Sequence, residues 1–289
     1  MTHENNLTHL ICKTSKFAKK SGALQPIQTD RISIIDKGVT FDIHLAQQSQ
    51  TPFGVESANP NKNPFLPYET DLFIKEVSNS HIMLLNKFPV IPNHVLIVTK
   101  KFEQQTSPLN QKDFNSIFTC IRDLDSFIFY NSGSTAGASQ SHKHLQLIPR
   151  DMVKQSFIDH IDDWLTTITF HRGQVQSWPT FPFKHALTKI DITESDHPGS
   201  TPEQLITAYN KLRESLEIKS ETGNKKGYNL LLTRQWMMMI PRSQEAFYDV
   251  SINAMGFAGI LLALNDSQLS VLKSNGPLSF LMAVTENTD

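Results

Sequence analysis

Two imidazoles and one carboxamide recur at alternate positions of His142-Lys143-His144-Leu145-Gln146. In a strand, alternate side chains point to one face. His142, His144 and Gln146 would then line one face at steps of about 6–7 Å, the span of one phosphate-sized group. Lys143, Leu145 and Leu147 would line the other, with the leucines locking the strand into a core. A neutral imidazole is a competent nucleophile toward phosphorus, and its N–P adduct is reactive enough to be discharged again. The amide of Gln146 donates to a phosphoryl oxygen without titrating. Just upstream, the small-residue run from Gly133 to Ser141 brings backbone N–H groups and the Ser139 hydroxyl within reach of negative oxygens. Nucleophile, cradle and rigid support are what phosphoryl-type transfer needs. Each piece alone has a plainer use: H-x-H in a strand suits a metal or a surface pair, and a small-residue run is commonly a turn. Their adjacency is the informative feature. A metal site would need further ligands, and no cysteine or carboxylate lies near in sequence, leaving His94 or His185 to approach in space.

The elements that must position this strand are legible in part. Leu7, Leu10, Ile11, Phe17 and Ala18 recur at near-helical spacing, which predicts a short opening helix. Residues 46–70, rich in Gln, Asn and Pro, read as a surface connection. His81–Leu85 and His94–Thr99 read as two strands joined through a turn with two prolines. Phe114, Ile117, Phe118, Ile121, Leu124 and Ile128 recur at steps of three and four, predicting one helix. Tyr130 to Ser141 reads as a loop leading into a strand over 142–149. A second loop spans 171–201, and Thr201-Pro202-Glu203-Gln204 then opens a helix with a capping box and an N-terminal proline. Its stripe is Leu205, Tyr209, Leu212 and Leu216. Tyr228–Thr233 and Trp236–Ile240 form another strand pair whose outline echoes the first, suggesting a diverged duplication. Hairpin-paired strands interspersed with helices predict an α+β fold.

The 289 residues are enough for one large domain or two ordinary ones, and 39% hydrophobic with 19% charged residues describes a folded chain. A net charge of -1 lacks the basic footprint of a duplex-binding protein, so no nucleic-acid partner is expected. Two cysteines, Cys12 and Cys120, supply neither a disulfide framework nor a zinc pair. No secretory signal is read at the N-terminus, and apolar runs such as Ile260–Leu264 are too short to span a bilayer, so the expectation is a cytoplasmic protein without a membrane partner.

The segment Tyr130-Asn131-Ser132-Gly133 … Ala136-Gly137-Ala138-Ser139-Gln140-Ser141-His142-Lys143-His144-Leu145-Gln146 resembles the signature of diadenosine tetraphosphate phosphorylases. These are ATP adenylyltransferases in the transferase branch of the histidine triad superfamily. Asn63–Glu69, Leu84–Val90, Gly227–Thr233 and Ile252–Gly259 are similar to further blocks of that family, so the likeness runs from about 60 to 265. It implies a histidine-triad-like antiparallel sheet with flanking helices in two related halves: 1–170, carrying the H-x-H-x-Q strand, and 171–289, diverged, packed as one unit. It implies phosphorolysis of diadenosine tetraphosphate to ATP and ADP through an adenylyl-histidine. His144 would be the nucleophile, His142 would orient it, and Gln146, Asn131 and Gly137, Ala138, Ser139 and Gln140 would contact phosphate. Asn86, Lys87 and Asn253 would lie near the nucleotide. For Asn86 and Lys87 a plain polar turn explains the local sequence almost as well.

Two positions depart from the family pattern. Leu264 stands where the family carries a lysine, and Phe41-Asp42-Ile43-His44 stands where an F-x-x-R element is expected. Rival readings are a hexose-1-phosphate uridylyltransferase, which places proline where Lys143 stands, and a non-catalytic dinucleotide-binding regulator, which needs no imidazole nucleophile. The expected partners are a dinucleoside polyphosphate, ATP, ADP and phosphate. No metal site and no required cofactor are read; whether a divalent cation accompanies the substrate phosphates stays open, as does the oligomeric state.

Overall fold

Runs that are apolar at every position, such as Ile82–Leu85, require burial on both faces. The chain supplies it by layering helices and a second sheet over one large sheet. The computed structural model describes residues 3–47, 63–153, 156–192, 201–218 and 227–286, so most of the connection read over 46–70 lies outside the described residues. In chain order the elements begin α1 (His3–Ser21), β1 (Thr29–Asp36), β2 (Val39–Ala46), β3 (Phe73–Glu76), β4 (His81–Leu85), β5 (Val95–Thr99), α2 (Gln111–Asp123), β6 (Ser126–Asn131) and β7 (His144–Pro149). There follow α3 (Phe157–Thr167), β8 (Ala186–Lys189), α4 (Pro202–Ser215), β9 (Gly227–Leu232) and β10 (Trp236–Arg242). The chain ends with β11 (Ala246–Phe247), β12 (Val250–Ser251), β13 (Ile260–Ala263), α5 (Asp266–Asn275) and α6 (Pro277–Ala283).

The fold is α+β. Eight strands form one antiparallel sheet in the order β3-β4-β5-β7-β6-β9-β10-β8. Residues 1–170 supply five of its strands and 171–289 three, and the seam is the β6/β9 pairing, which ends at Asn131 opposite Asn229. A smaller sheet, β1-β2-β13, joins the hairpin β1/β2 to β13 by a parallel pairing, and β11 and β12 pair separately.

Alternation along the strands separates two cores. Met83, Val95, Ile97, Ile128, Leu145, Leu147, Leu230 and Met237 face Leu7 and Ile11 of α1, Ile117 and Ile121 of α2 and Leu205 and Leu212 of α4. On the opposite face Phe127, Phe129, Ile148, Leu231 and Met238 pack under β2, β13, α3, α5 and α6. A satellite cluster of Phe65, Ile82, Leu84, Leu96 and Val98 covers the β4/β5 end.

The helix expected through Ile128 ends at Asp123; Leu124 is extended, and Ile128 belongs to β6. The misreading has a physical cause: β6 is buried at all six positions, so it offers an apolar residue to any period laid over it. Tyr130 and Asn131, read as loop, close that strand. In α1 the buried line is Leu7, Ile11, Ser15 and Ala18, and Phe17 is 57% exposed. The capping box at Thr201 and Gln204 forms as predicted, with Pro202 in the first turn. Strand β8 emerges inside the stretch read as loop over 171–201; residues 193–200 of that stretch lie outside the described residues.

Candidate active site

Strand β7 begins at His144. Val98 stands opposite His144, and Gln146 stands between Leu96 and Phe129. Leu96 and Val98 belong to the satellite cluster and Phe129 to the core under the small sheet, so His144 and Gln146 lie between two apolar patches on one face. Leu145 and Leu147 anchor the strand from behind. His142 precedes the strand and forms a bridge with Gln104.

The tautomers follow from the partners. A carbonyl only accepts, so Nδ1 of His144 donates to the His142 carbonyl at 2.9 Å, which leaves the lone pair on Nε2. Nε2 of His142 donates to the Thr99 carbonyl at 2.9 Å, and its Nδ1 accepts from Nδ2 of Asn63 at 2.9 Å. The ring of Phe65 lies 5.4 Å from that of His144 and 5.6 Å from that of His142, and Phe102 closes on His142 at 5.4 Å. Burial pushes His144 down to about 4; the charge of His142 adds to this and the bond to the His142 carbonyl opposes it. Burial likewise lowers His142. Near pH 7 His144 is a neutral imidazole whose lone pair lies on Nε2.

Lys143 points the other way and is fully buried. Its ammonium meets Glu103 at 2.6 Å, Asp113 at 3.2 Å and the Pro108 carbonyl at 3.3 Å. Asp113 also accepts from His81 at 2.9 Å and caps α2 through the Asn110 N–H. Burial pushes the Asp113 carboxyl up, but the His81 hydrogen bond and the Lys143 charge outweigh it and hold it below the usual range.

The small-residue loop folds as a tight 3-10 turn over Ser134–Ala136 between two glycines of positive φ, Gly133 (+85°) and Gly137 (+82°). At Gly137 a Cβ would stand 2.6 Å from the Ile252 carbonyl and 2.8 Å from Cβ of Asn253, so only glycine lets the loop touch this segment of the second half. Loop geometry divides the amides expected to bind anions. Those of Gly137 and Ala138 donate to Ser134 and Gly133 within the loop. Those of Ser139 and Gln140 have no backbone partner among the described residues. Asn131 is buried, and its Oδ1 accepts from Nδ2 of Asn229 (2.8 Å) and the Ala254 N–H (3.0 Å). Arg242, which sequence reading missed, is buried beneath this contact and donates to Oδ1 of Asn229 (2.7 Å) and the Ile252 carbonyl (2.8 Å). Burial pushes it down to about 9.

Asn86 reaches the site through His94: its Nδ2 donates to Nδ1 of His94 at 3.2 Å while its Oδ1 accepts from the Phe88 N–H. His94 therefore carries its proton on Nε2, which is buried without a well-formed hydrogen bond beside Gln146 and His144. Lys87 pairs with Glu69 at 2.5 Å. Oδ1 of Asn253 accepts from the Met255 N–H, holding the turn that abuts Gly137. His185 is remote, tied to Phe183 and Trp178. His44 hydrogen-bonds Thr29 and lies opposite Leu262, so it and the exposed Leu264 sit at one end of the paired strands β2 and β13. The two positions expected from the likeness to carry basic residues thus sit at one end of the same strand pair. Among the described residues no group of three or more His, Cys, Asp or Glu side chains could hold a metal.

The buried imidazoles make stability pH-dependent. Burial pushes His94 as well as His144 to about 4. Between pH 6.5 and 4 the unfolded chain binds protons that the folded one refuses, so stability falls as pH falls through that window. Each ring accounts for about 2 kcal/mol between pH 6.5 and 5. Urea unfolding at pH 7.5 and 5 should show a clear loss at the lower pH; equal midpoint stabilities would mean that both rings titrate normally.

Comparison with known proteins agrees with this geometry. The profile of the Ap4A phosphorylase N-terminal domain matches residues 1–166, and that of the ATP adenylyltransferase C-terminal domain matches residues 179–286. Protein APA1 of Saccharomyces cerevisiae is 28% identical over 301 residues, covering 92% of this chain and 89% of its own length. Diadenosine 5',5'''-P1,P4-tetraphosphate phosphorylase 2 of the same yeast is 26% identical, covering 93% and 90%. The crystal structure of yeast Ap4A phosphorylase Apa2 in complex with AMP superposes with a TM-score of 0.79 at 25% identity, covering 98% of this chain and 99% of that one. With a matching first domain that spans more than half of its length, followed by the matching C-terminal domain, the chain belongs to the Ap4A phosphorylase family of ATP adenylyltransferases.

Proposed function

We propose that the protein cleaves diadenosine tetraphosphate with phosphate into ATP and ADP, and that His144 carries the adenylyl group between the two halves of the reaction. The observation that carries this reading is the hydrogen bond from Nδ1 of His144 to the His142 carbonyl, which frees Nε2 in a ring held neutral by burial. In the first step Nε2 bonds to an α-phosphorus while the bond from that phosphorus to the bridging oxygen breaks, and ATP departs with the oxygen. The ring is then cationic, its Nδ1 proton still held by the carbonyl, which makes it a good leaving group. A phosphate oxygen next attacks the same phosphorus, the N–P bond breaks with its electron pair returning to Nε2, and ADP forms.

Gln146 and the Nε2–H of His94 are suited to donate to the phosphoryl oxygens from the same face, and the amides of Ser139 and Gln140 to the flanking phosphates. Gln146 cannot take a proton near pH 7, so it does not activate water, which favours the oriented anion as acceptor. Asn86 acts through His94, while Asn131, Gly137, Ala138 and Asn253 shape the loop beside the site. The first half carries the nucleophile, and the second supplies the wall behind the loop. No described helix is long and apolar enough to cross a membrane, and both cysteines are unpaired. A cytoplasmic site of action accords with both.

The test is incubation with dinucleotide labelled at the α-phosphorus, without phosphate. One ATP should be released per chain, the label should stay with the protein through gel filtration, and added phosphate should discharge it as ADP. Steady release of AMP without phosphate would reject the transferase reading in favour of a hydrolase.

A further inference from the structure

We infer that Gln105 is a positioning residue for this reaction: its buried amide wedges between β6 and β7 and fixes the peptide of the nucleophile. The inference rests on the adenylyl transfer at His144 proposed above.

The β6/β7 ladder runs from Ser126 opposite Pro149 to Phe129 opposite Gln146 and stops there. Continued by two residues, the same register would set Asn131 opposite His144. The side chain of Gln105 occupies the place of those ladder bonds. Its Oε1 accepts from the His144 N–H at 2.8 Å, and its Nε2 donates to the Asn131 carbonyl at 2.8 Å and the His144 carbonyl at 3.1 Å. One amide thereby uses both donors and an acceptor, satisfying backbone groups that splaying the strands would otherwise leave unpaired.

The wedge is itself held. The Gln105 N–H donates to Ser141 at 2.7 Å, the Lys143 N–H donates to Glu103 at 2.8 Å, and Gln104 bridges His142, so residues 103–105 run antiparallel to 141–143. The hydroxyl of Tyr130 donates to the Gln105 carbonyl and the Ser107 carbonyl. Gln105 is buried, so water does not substitute for these bonds.

Two consequences bear on catalysis. The splay lets β6 turn outward into the small-residue loop while β7 begins at the nucleophile. Bonds to both the N–H and the C=O of His144 also fix the tilt of the two peptide planes that flank its Cα. The direction of Nε2 follows that tilt, and in-line attack on phosphorus is sensitive to it. The hydrogen bond from His144 to the His142 carbonyl does not supply this control, because both groups ride on the same strand segment.

Methionine has nearly the volume of glutamine but offers no amide, so Gln105→Met tests the bonds with little change in packing. At a temperature where circular dichroism shows the protein folded, the single-turnover rate of His144 labelling should fall about 10- to 100-fold. KM for the dinucleotide should stay within about threefold, since ground-state binding is not the affected quantity. Leu212→Ala, which opens a cavity in the core under α4, should lose stability while keeping the labelling rate. Tyr130→Phe, which frees the Gln105 carbonyl but leaves the amide, should slow labelling by a smaller factor with the same unchanged KM, and it decides the matter if Gln105→Met does not fold. A labelling rate within about threefold of the parent in the folded variant, or a loss carried by KM, overturns the wedge while leaving the nucleophile in place. A parent protein that takes no label removes the reading on which the inference rests.

Discussion

Replacement of His144 by alanine is expected to abolish the adenylyl-enzyme and to lower turnover by about four orders of magnitude or more. His142→Ala is expected to slow turnover only, by about 10- to 100-fold. The asymmetry comes from which atoms of each residue face the reaction. From His144 the ring itself supplies Nε2, held neutral by burial with its lone pair unprotonated. From His142 the decisive atom is the backbone carbonyl that holds Nδ1–H of His144, and alanine keeps it. What His142→Ala removes is the ring's bonds to Thr99 and Asn63 and its contacts with Phe65 and Phe102, which keep the start of the strand in place. Quenched-flow labelling of both variants checks the pair. Normal incorporation in His144→Ala would move the nucleophile to another residue, with His142 the first to examine.

The second large effect is on stability. Lys143→Ala is expected to cost about 3–5 kcal/mol, because it strands the fully buried carboxylate of Asp113 without its cation. The neighbouring ion pair with Glu103 contributes less, since that carboxylate is partly exposed. If the cost is an unpaired charge rather than a cavity, removing the charge should restore much of it. Lys143→Met with Asp113→Asn keeps volume and an acceptor for the α2 cap while deleting both charges. In urea unfolding the double variant should be more stable than Lys143→Met alone. Additive losses would show that the two groups do not interact and that packing dominates. Lys143 thus anchors the strand that bears His144 to the helix behind it, through Asp113 of α2.

The sequence by itself determined the α+β class and the strand that carries His144 and Gln146. Alternation in His142–Gln146 assigns imidazole and amide to one face and leucine to the other because a strand has a fixed period of two, and burial follows that assignment at Leu145 and Leu147. The capping box before α4 and the β4/β5 and β9/β10 hairpins are equally local, each fixed by residues within a few positions of one another. The family likeness reached further than periodicity, since a specific block carries information about a whole fold.

What only the tertiary structure decided is everything that depends on residues far apart in the chain. The end of α2 is not legible in the sequence, because a strand buried on both faces imitates any apolar period. The depressed proton affinity of His144 depends on burial between two clusters drawn from both ends of the sheet. His94 reaches the site from β5's leading edge, and the proton on its Nε2, beside Gln146, depends on Asn86 choosing the other nitrogen. Asn131, a phosphate contact by the family likeness, has its Oδ1 engaged by Asn229 and Ala254 at separations of 98 and 123 residues, which fixes the orientation of its Nδ2 donor. Gln105 and Arg242 carry no local signature, since a lone Gln or Arg acquires its meaning only from the carbonyls that folding brings within 3 Å of it. Local sequence decides which way a side chain points along its own element; which partners it then meets is decided by the packing of elements against one another, and hydrogen-bond chemistry is set by those partners.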